Sequence, residues 1–200
     1  METEKFYHIY NHANGSENLF REEENYRFFL QQWDKYISPI AETYAYCLMP
    51  NHIHFLIKIR GIEEIRMKFG FEVVKPFGKF QTFQKLVSKQ FANLFSSYAQ
   101  AFNKMYNRKG SLFIPNFKRK EITSEEYLKT LVCYIHRNPI HHGFCTDFTE
   151  WKHSSYHAYL SDKPSKIERT YILDLFDGKE NFIEAHQQYI EPLDSELFLE

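Results

Sequence analysis

The chain has 200 residues, of which 43% are hydrophobic and 26% charged, and its seven glycines and seven prolines exclude fibrous and low-complexity classes. Three widely spaced cysteines exclude a disulfide framework, and no stretch approaches the ~20 consecutive apolar residues of a membrane span. The formal net charge of −1 argues, taken alone, against a strongly basic nucleic-acid binder. Without a signal-peptide pattern at the N-terminus, we expect a reduced, cytoplasmic setting.

The first half of the chain alternates strand and helix patterns. β-prone residues predict a strand over 6–13, and apolar residues at spacings of three and four predict a helix over 22–36. Two more strands are predicted over 42–48 and 52–60. A tight connection joins them, so we expect a hairpin.

The second half begins with a less regular stretch, residues 61–78, which we interpret as an insertion. A long amphipathic helix is predicted over 80–105. A fourth strand is predicted over 110–121, at an edge or interrupted because Pro115 cannot donate to a ladder.

A last helix of the core is predicted after Thr123, which forms a capping-box pattern with Glu126. Pro139 is expected to end it near Arg137. The order β-α-β-β-α-β-α predicts an α+β fold, an antiparallel sheet with helices packed on one face. The acidic tail predicts a short, mostly helical C-terminal extension, and we divide the chain into a domain over 1–145 and an extension over 146–200.

The net charge conceals a segregation along the chain. Residues 1–50 carry a net charge of −4, residues 51–120 carry +11, and residues 121–200 carry −8. Such an excess of positive charge in one block is typical of a surface that binds a polyanion, although a solvated helix face would look the same.

Two histidines lie two residues apart in the third predicted strand. Because residues i and i+2 of a strand point to the same face, His52 and His54 present neighbouring imidazoles, while Ile53 points to the other face. Two neutral imidazoles at that separation can share one divalent metal ion, or they can be unrelated strand histidines.

A tyrosine and an amide lie four residues apart in the last predicted helix. Tyr134 and Asn138 share a helix face, with Tyr134 expected in the last turn and Asn138 just beyond it. A phenol has a free pKa of about 10, but a divalent cation and basic groups nearby can make it a usable nucleophile. As a third metal ligand we favour Asn138 over His136 or the pair His141 and His142.

Basic side chains gather at the end of the long helix and on the fourth predicted strand. Together with interleaved aromatic residues they favour single-stranded nucleic acid, because no helix-turn-helix or zinc-finger pattern is present. The candidate DNA-binding residues are Lys104, Arg108, Lys109, Lys118, Arg119 and Lys120.

These motifs together resemble a known family. Residues 49–56, Met-Pro-Asn-His-Ile-His-Phe-Leu, resemble the HUH signature of single-tyrosine transposases. Residues 134–139, Tyr-Ile-His-Arg-Asn-Pro, resemble the tyrosine motif of the REP-associated tyrosine transposase branch. Residues 151–156, Trp-Lys-His-Ser-Ser-Tyr, and residues 110–113, Gly-Ser-Leu-Phe, resemble two further elements of that branch, with Phe113 in the place of the usual Trp.

The resemblance implies a ferredoxin-like α+β fold. It also implies an enzyme of DNA transposition that nicks and rejoins single-stranded DNA flanked by a hairpin. It implies that His52 and His54 bind Mg²⁺ or Mn²⁺, with Asn138 as the third ligand. It also implies that Tyr134 attacks a phosphodiester, leaving a 5′-phosphotyrosine link and a free 3′-OH.

Three questions stay open at the level of sequence. The chain could be a domesticated DNA-binding protein of the same fold without cleavage activity. It could instead hold structural zinc with His52, His54 and a further histidine. It could act as a monomer or as a homodimer.

Overall fold

The fold is built on one antiparallel four-stranded sheet. The computed structural model describes residues 1–69 and 79–188, with only the helical course given for residues 79–82. The strands are β1 (Phe6–His12), β2 (Ala41–Leu48), β3 (His52–Ile59) and β4 (Lys118–Ile122), in the spatial order β2-β3-β1-β4. The predicted α+β, ferredoxin-like class and the β2–β3 hairpin are confirmed.

The helices follow the predicted order, with one addition inside the expected insertion. They are α1 (Glu23–Tyr36), α2 (Ile62–Phe69), α3 (Lys79–Met105), α4 (Glu125–His141), α5 (Tyr156–Leu160), α6 (Arg169–Leu175) and α7 (Lys179–Gln187), with a 3₁₀ turn at Phe148–Glu150. The extension is thus mostly helical, as expected, while its residues 189–200 and residues 70–78 lie outside the described residues. No described helix is both long enough and apolar enough to cross a membrane.

Helices pack on both faces of the sheet, and the expectation of one covered face was wrong. Ile53, Phe55 and Ile57 of β3 join one apolar cluster with α1 and α3. Leu56 joins a second cluster with α4 and the extension. A strand covered on both faces reads as a nearly continuous apolar run, which is what β3 shows beyond its histidines.

The fourth strand is shorter than predicted, five residues instead of twelve. Pro115 has no N–H for a ladder, and Asn116 has a φ of +63°, so the chain turns before β4 begins. Upstream of the turn, Phe113 makes only an isolated bridge with Ala13.

The fourth helix begins and ends later than predicted. Ser124, not Thr123, is its N-cap, and the Ser124 hydroxyl accepts a hydrogen bond from the Tyr127 N–H at 3.2 Å. The helix continues through Pro139, because a proline so close to the C-terminus removes only one intrahelical hydrogen bond, and the His142 N–H still bonds the Asn138 carbonyl. Positions 134 and 138 therefore both lie inside α4.

Candidate active site

The two strand histidines meet the helix amide at the centre of the sheet. His52 and His54 lie on the face of β3 that α4 covers, with ring centroids 5.3 Å apart. His52 Nε2 lies 3.2 Å from Asn138 Oδ1, and all three side chains are fully buried. His52, His54 and Asn138 thus lie next to one another within one chain.

The contacts of His52 turn two lone pairs, on His52 Nε2 and Asn138 Oδ1, towards each other. Its Nδ1 lies 2.7 Å from Asn51 Oδ1, and its Nε2 faces Asn138 Oδ1. A carbonyl oxygen only accepts, and a neutral imidazole has one N–H to give, which the shorter contact takes. Nε2 therefore turns a lone pair towards Asn138 Oδ1, a donor set that suits a divalent cation.

The amide of Asn138 can also form a hydrogen bond with His52 when no metal ion is bound. Its Nδ2 is buried and has no hydrogen-bond partner among the described residues. Rotation of the amide by half a turn would place Nδ2 against His52 Nε2 as a donor. The contact is therefore compatible with a metal ion that binds and leaves.

A third buried histidine, His8 of β1, contacts the Nδ1 side of the His54 ring. His8 pairs with Leu56 in the β1–β3 register, so it lies diagonally across from His54, with His8 Nε2 2.9 Å from His54 Nδ1. The hydrogen bond engages Nδ1 and leaves Nε2 as the atom of His54 that could coordinate a metal ion. Sequence reasoning missed His8, although its position in a β-prone run was visible.

Tyr134 lies beside the same histidines. Its ring centroid is 5.8 Å from that of His54 at an interplanar angle of 87°, and the ring of His141 stacks on it at 5.9 Å. Tyr134 is only 1% exposed, whereas His141 is exposed. The tyrosine and the histidine pair that the sequence selected are therefore neighbours in one chain.

The histidines of this site are neutral at physiological pH. Burial lowers the pKa of His52 to about 3 and that of His8 to about 3, and it lowers the pKa of His54 well below its usual value. For His54 the neighbouring imidazoles of His8 and His52 act in the same direction, after burial. Neutral imidazoles are the form that binds metal ions, so no proton has to leave before coordination.

His136 cannot be the third ligand, because both of its ring nitrogens are engaged elsewhere. Nδ1 lies 2.8 Å from His186 Nε2 of α7, and Nε2 lies 2.7 Å from the Ser155 hydroxyl. That hydroxyl also accepts a hydrogen bond from the Tyr46 N–H of β2. Ser155 of the 151–156 motif thus links α4 to β2, and His186 links α4 to α7 of the extension. Among the described residues no three His, Cys, Asp or Glu side chains form a metal-binding group.

The candidate DNA-binding residues divide into two groups. Arg108 is engaged inside the protein, with Nε 2.7 Å from Glu17 Oε2 and further hydrogen bonds to Asn103 and to the carbonyls of Gly110 and Ser111. It therefore braces the loop after α3. The other five are exposed or half-buried: Lys104, Lys109, Lys118, Arg119 and Lys120.

Comparison with known proteins adds two relatives. No family model matches the chain. Over 121 residues it is 25% identical to a protein of Haemophilus influenzae named putative REP-associated tyrosine transposase, a match that covers 58% of this chain and 59% of the relative. The chain thus spans about three fifths of that relative's length. A solved structure of a REP-associated tyrosine transposase bound to a REP hairpin aligns with a TM-score of 0.55 and 17% identity, covering 82% of this chain and 84% of that chain.

The chain therefore has the fold of a REP-associated tyrosine transposase of known structure. The curated relative and the structural neighbour both carry the name of REP-associated tyrosine transposases, the relative as a putative one. The resemblance that the sequence motifs indicated is confirmed.

Proposed function

We propose that the chain is a metal-dependent single-stranded DNA endonuclease and strand transferase that acts through Tyr134. The observation that carries the proposal is the meeting of His52, His54 and Asn138 with Tyr134 in one chain, from a strand and a helix far apart in sequence. A histidine pair, an amide oxygen and a phenol are the groups that a metal-assisted attack on a phosphodiester requires.

His52 Nε2, His54 Nε2 and Asn138 Oδ1 would hold the Mg²⁺ or Mn²⁺. When bound, the ion would polarise the phosphoryl group that is attacked. Tyr134 Oη would form the new bond to phosphorus and give up its proton, while the bond to the 3′ oxygen breaks and that oxygen leaves as a 3′-OH. The 5′-phosphotyrosine link keeps the phosphodiester energy, so rejoining to a new 3′-OH needs no nucleotide cofactor.

His8 acts in this proposal as a positioning residue. Its hydrogen bond with His54 Nδ1 fixes the orientation of the ring, and the tautomer in which His54 Nδ1 donates to His8 leaves the lone pair on His54 Nε2. Both rings are fully buried.

Access to Tyr134 requires a small movement at the surface. The tyrosine is nearly inaccessible, and the exposed imidazole of His141 stacks on its ring. Substrate binding would therefore displace His141 before the scissile phosphate reaches the hydroxyl.

The basic residues of β4 would hold the DNA backbone next to the site. Lys118 pairs with Tyr10, and Tyr10 pairs with His54, so Lys118 lies on the same face of the sheet as the histidines. The structural neighbour is described as bound to a REP hairpin. By analogy, we propose hairpin-flanked single-stranded DNA as the substrate.

Trapping of the covalent intermediate tests the proposal. The full chain is incubated with Mg²⁺ and hairpin-flanked oligonucleotides, and adducts are detected by denaturing gel electrophoresis and peptide mass spectrometry. We expect an adduct on Tyr134 that Tyr134→Phe abolishes, while Tyr127→Phe on the same helix keeps it. An adduct that persists in Tyr134→Phe would refute the assigned nucleophile.

A second candidate function is DNA binding without cleavage. The near-complete burial of Tyr134 favours it, because a nucleophile that substrate never uncovers cannot react. Salt-dependent binding of the same oligonucleotides with no adduct in Mg²⁺ or Mn²⁺ would support this alternative.

A further inference from the structure

A second concave site lies on the opposite face of the sheet from the histidines. It is a groove of about 610 Å³ between α3 and residues 111–117, within the ~300–1,000 Å³ range of ligand pockets. Its floor is made of small residues on one side of α3, Ser88, Ala92, Ser96 and Ala99. The groove is separate from the candidate active site.

One wall of the groove is aromatic. Phe95 meets Phe113 edge-on, with ring centroids 4.8 Å apart, and lies 5.6 Å from Phe117. All three rings line the groove. Aromatic side chains at this kind of surface are platforms on which unpaired bases stack.

A buried amide supplies a hydrogen-bond donor to the groove. Asn11 of β1 lines it and is 6% exposed. Its Oδ1 accepts from the His12 N–H at 2.9 Å, whereas its Nδ2 makes no hydrogen bond to any described residue. Gln84 and Asn116 add two more amides to the lining. Amide side chains pair with the polar edges of bases.

The charge of the groove suits an anionic ligand. Among the described residues, its lining contains no Asp or Glu, and it includes the exposed Arg119. A ligand that stacks, pairs with amides and carries a negative charge beside them has the chemistry of a nucleotide.

The edge strand connects this groove with the active-site face. Successive side chains of a strand point to opposite faces, so Arg119 points to the groove side, and Lys118 and Lys120 point to the histidine side. β4 is an edge strand of five residues, which one DNA strand can cross. A backbone held by these three side chains would therefore run from one site to the other.

We propose that the groove receives an unpaired base of the single-stranded DNA whose phosphodiester is cleaved at the histidine site. This inference rests on the proposed function for the identity of the substrate. It adds a recognition site that would read sequence away from the reacting phosphate.

An abasic scan combined with a groove-filling variant tests the inference. Each single-stranded position of a hairpin-flanked oligonucleotide is replaced in turn by an abasic nucleotide, and binding to the full chain is measured by fluorescence anisotropy. At one position we expect the wild type to lose about 5- to 100-fold in affinity. Ala92→Leu should lose a similar factor with the intact oligonucleotide and nothing further with the abasic one, because both changes remove the same contact. Asn93→Leu, at a position on α3 that does not line the groove, is the control and should bind like the wild type.

The outcomes separate this inference from the proposed cleavage. If the losses from Ala92→Leu and from every abasic position simply multiply, or if Ala92→Leu has no effect, the groove does not hold a base. Adduct formation on Tyr134, measured with the same oligonucleotides, reports on cleavage alone. Coupled losses without any adduct would support the groove and refute cleavage, and no binding of any oligonucleotide would refute both.

Discussion

Replacing His8 with alanine removes the hydrogen-bond partner of a proposed metal ligand without touching the ligand itself. The hydrogen bond to His54 Nδ1 is 2.9 Å long and lies between two fully buried rings. Loss of such a partner costs a metal site about 10- to 100-fold in affinity, or ~1.4–2.7 kcal/mol.

The assay is a titration of the protein with Mn²⁺ followed by electron paramagnetic resonance, which needs neither DNA nor catalysis. His8→Gln is the rescue variant, because its amide oxygen can accept a hydrogen bond from His54 Nδ1 near the position of the lost nitrogen. We expect affinity within about threefold of the wild type for His8→Gln, against the 10- to 100-fold loss in His8→Ala. His12→Ala is the matched control, because the His12 ring stacks on His52 at 5.4 Å, and its Nδ1 contacts the backbone carbonyl of Ala13 and not a proposed metal ligand.

Thermal unfolding of the metal-free variants separates positioning from stability. Both substitutions of His8 disturb a buried site, so both are expected to lower the free energy of unfolding, the alanine by about 1–3 kcal/mol. Only the alanine should weaken Mn²⁺ binding. If His8→Ala binds Mn²⁺ like the wild type, or if both variants lose affinity in proportion to their stability, His8 does not orient His54.

Three further predictions concern the DNA surface, the tie between α4 and β2, and acid. Lys118→Ala should make the fall of log K with log salt concentration less steep by about one in DNA-binding titrations. Arg108→Ala should lower the melting temperature and leave this salt dependence unchanged. Equal salt dependence in the two variants would contradict the division of the basic residues. Ser155→Ala should lower the free energy of unfolding by about 1–3 kcal/mol in urea, since a buried imidazole and a backbone N–H both lose their partner, and an unchanged midpoint would be contrary evidence. The folded pKa values of His8 and His52 are about 3, below the unfolded value of ~6.5, so their contribution to stability is complete above pH 6.5 and is lost as pH falls towards 3. We expect each to cost up to about 1.4 kcal/mol per pH unit in that window, so that the urea midpoint of the metal-free protein falls between pH 7 and pH 5; a constant midpoint would show that these rings are charged or solvated.

Much of the fold could be predicted because its signals are local. The alternation in β1 and β3 and the apolar spacing of α1 and α3 are properties of short windows, and their bounds agree with the structure to within one residue at nearly every end. The errors fall where a local signal competes with its surroundings. A proline generally ends a helix, but Pro139 lies in the last turn of α4, where it removes only one intrahelical hydrogen bond.

The expectation of one covered sheet face failed for a different reason. A pattern of strands and helices does not state on which side each connection returns. Leu56 next to Phe55 in β3 signals that both faces are apolar, and the structure covers them with α4 and with α1 and α3.

The chemical groups of the candidate site and their local geometry could be predicted from short stretches of sequence. The period of two in a strand places His52 and His54 on one face, and the period of 3.6 in a helix places Tyr134 and Asn138 on one face. These relations hold within a few residues and need no knowledge of the rest of the chain.

The way in which these side chains meet depends on contacts between distant parts of the chain. The contact between His52 and Asn138 spans 86 positions of sequence, and the hydrogen bond between His8 and His54 spans 46. Both depend on strand register and on the face to which α4 returns, which are set by the burial of two apolar clusters and not by any local pattern. For the same reason Arg108 reads as a DNA contact in the sequence but is held by Glu17 in the folded protein.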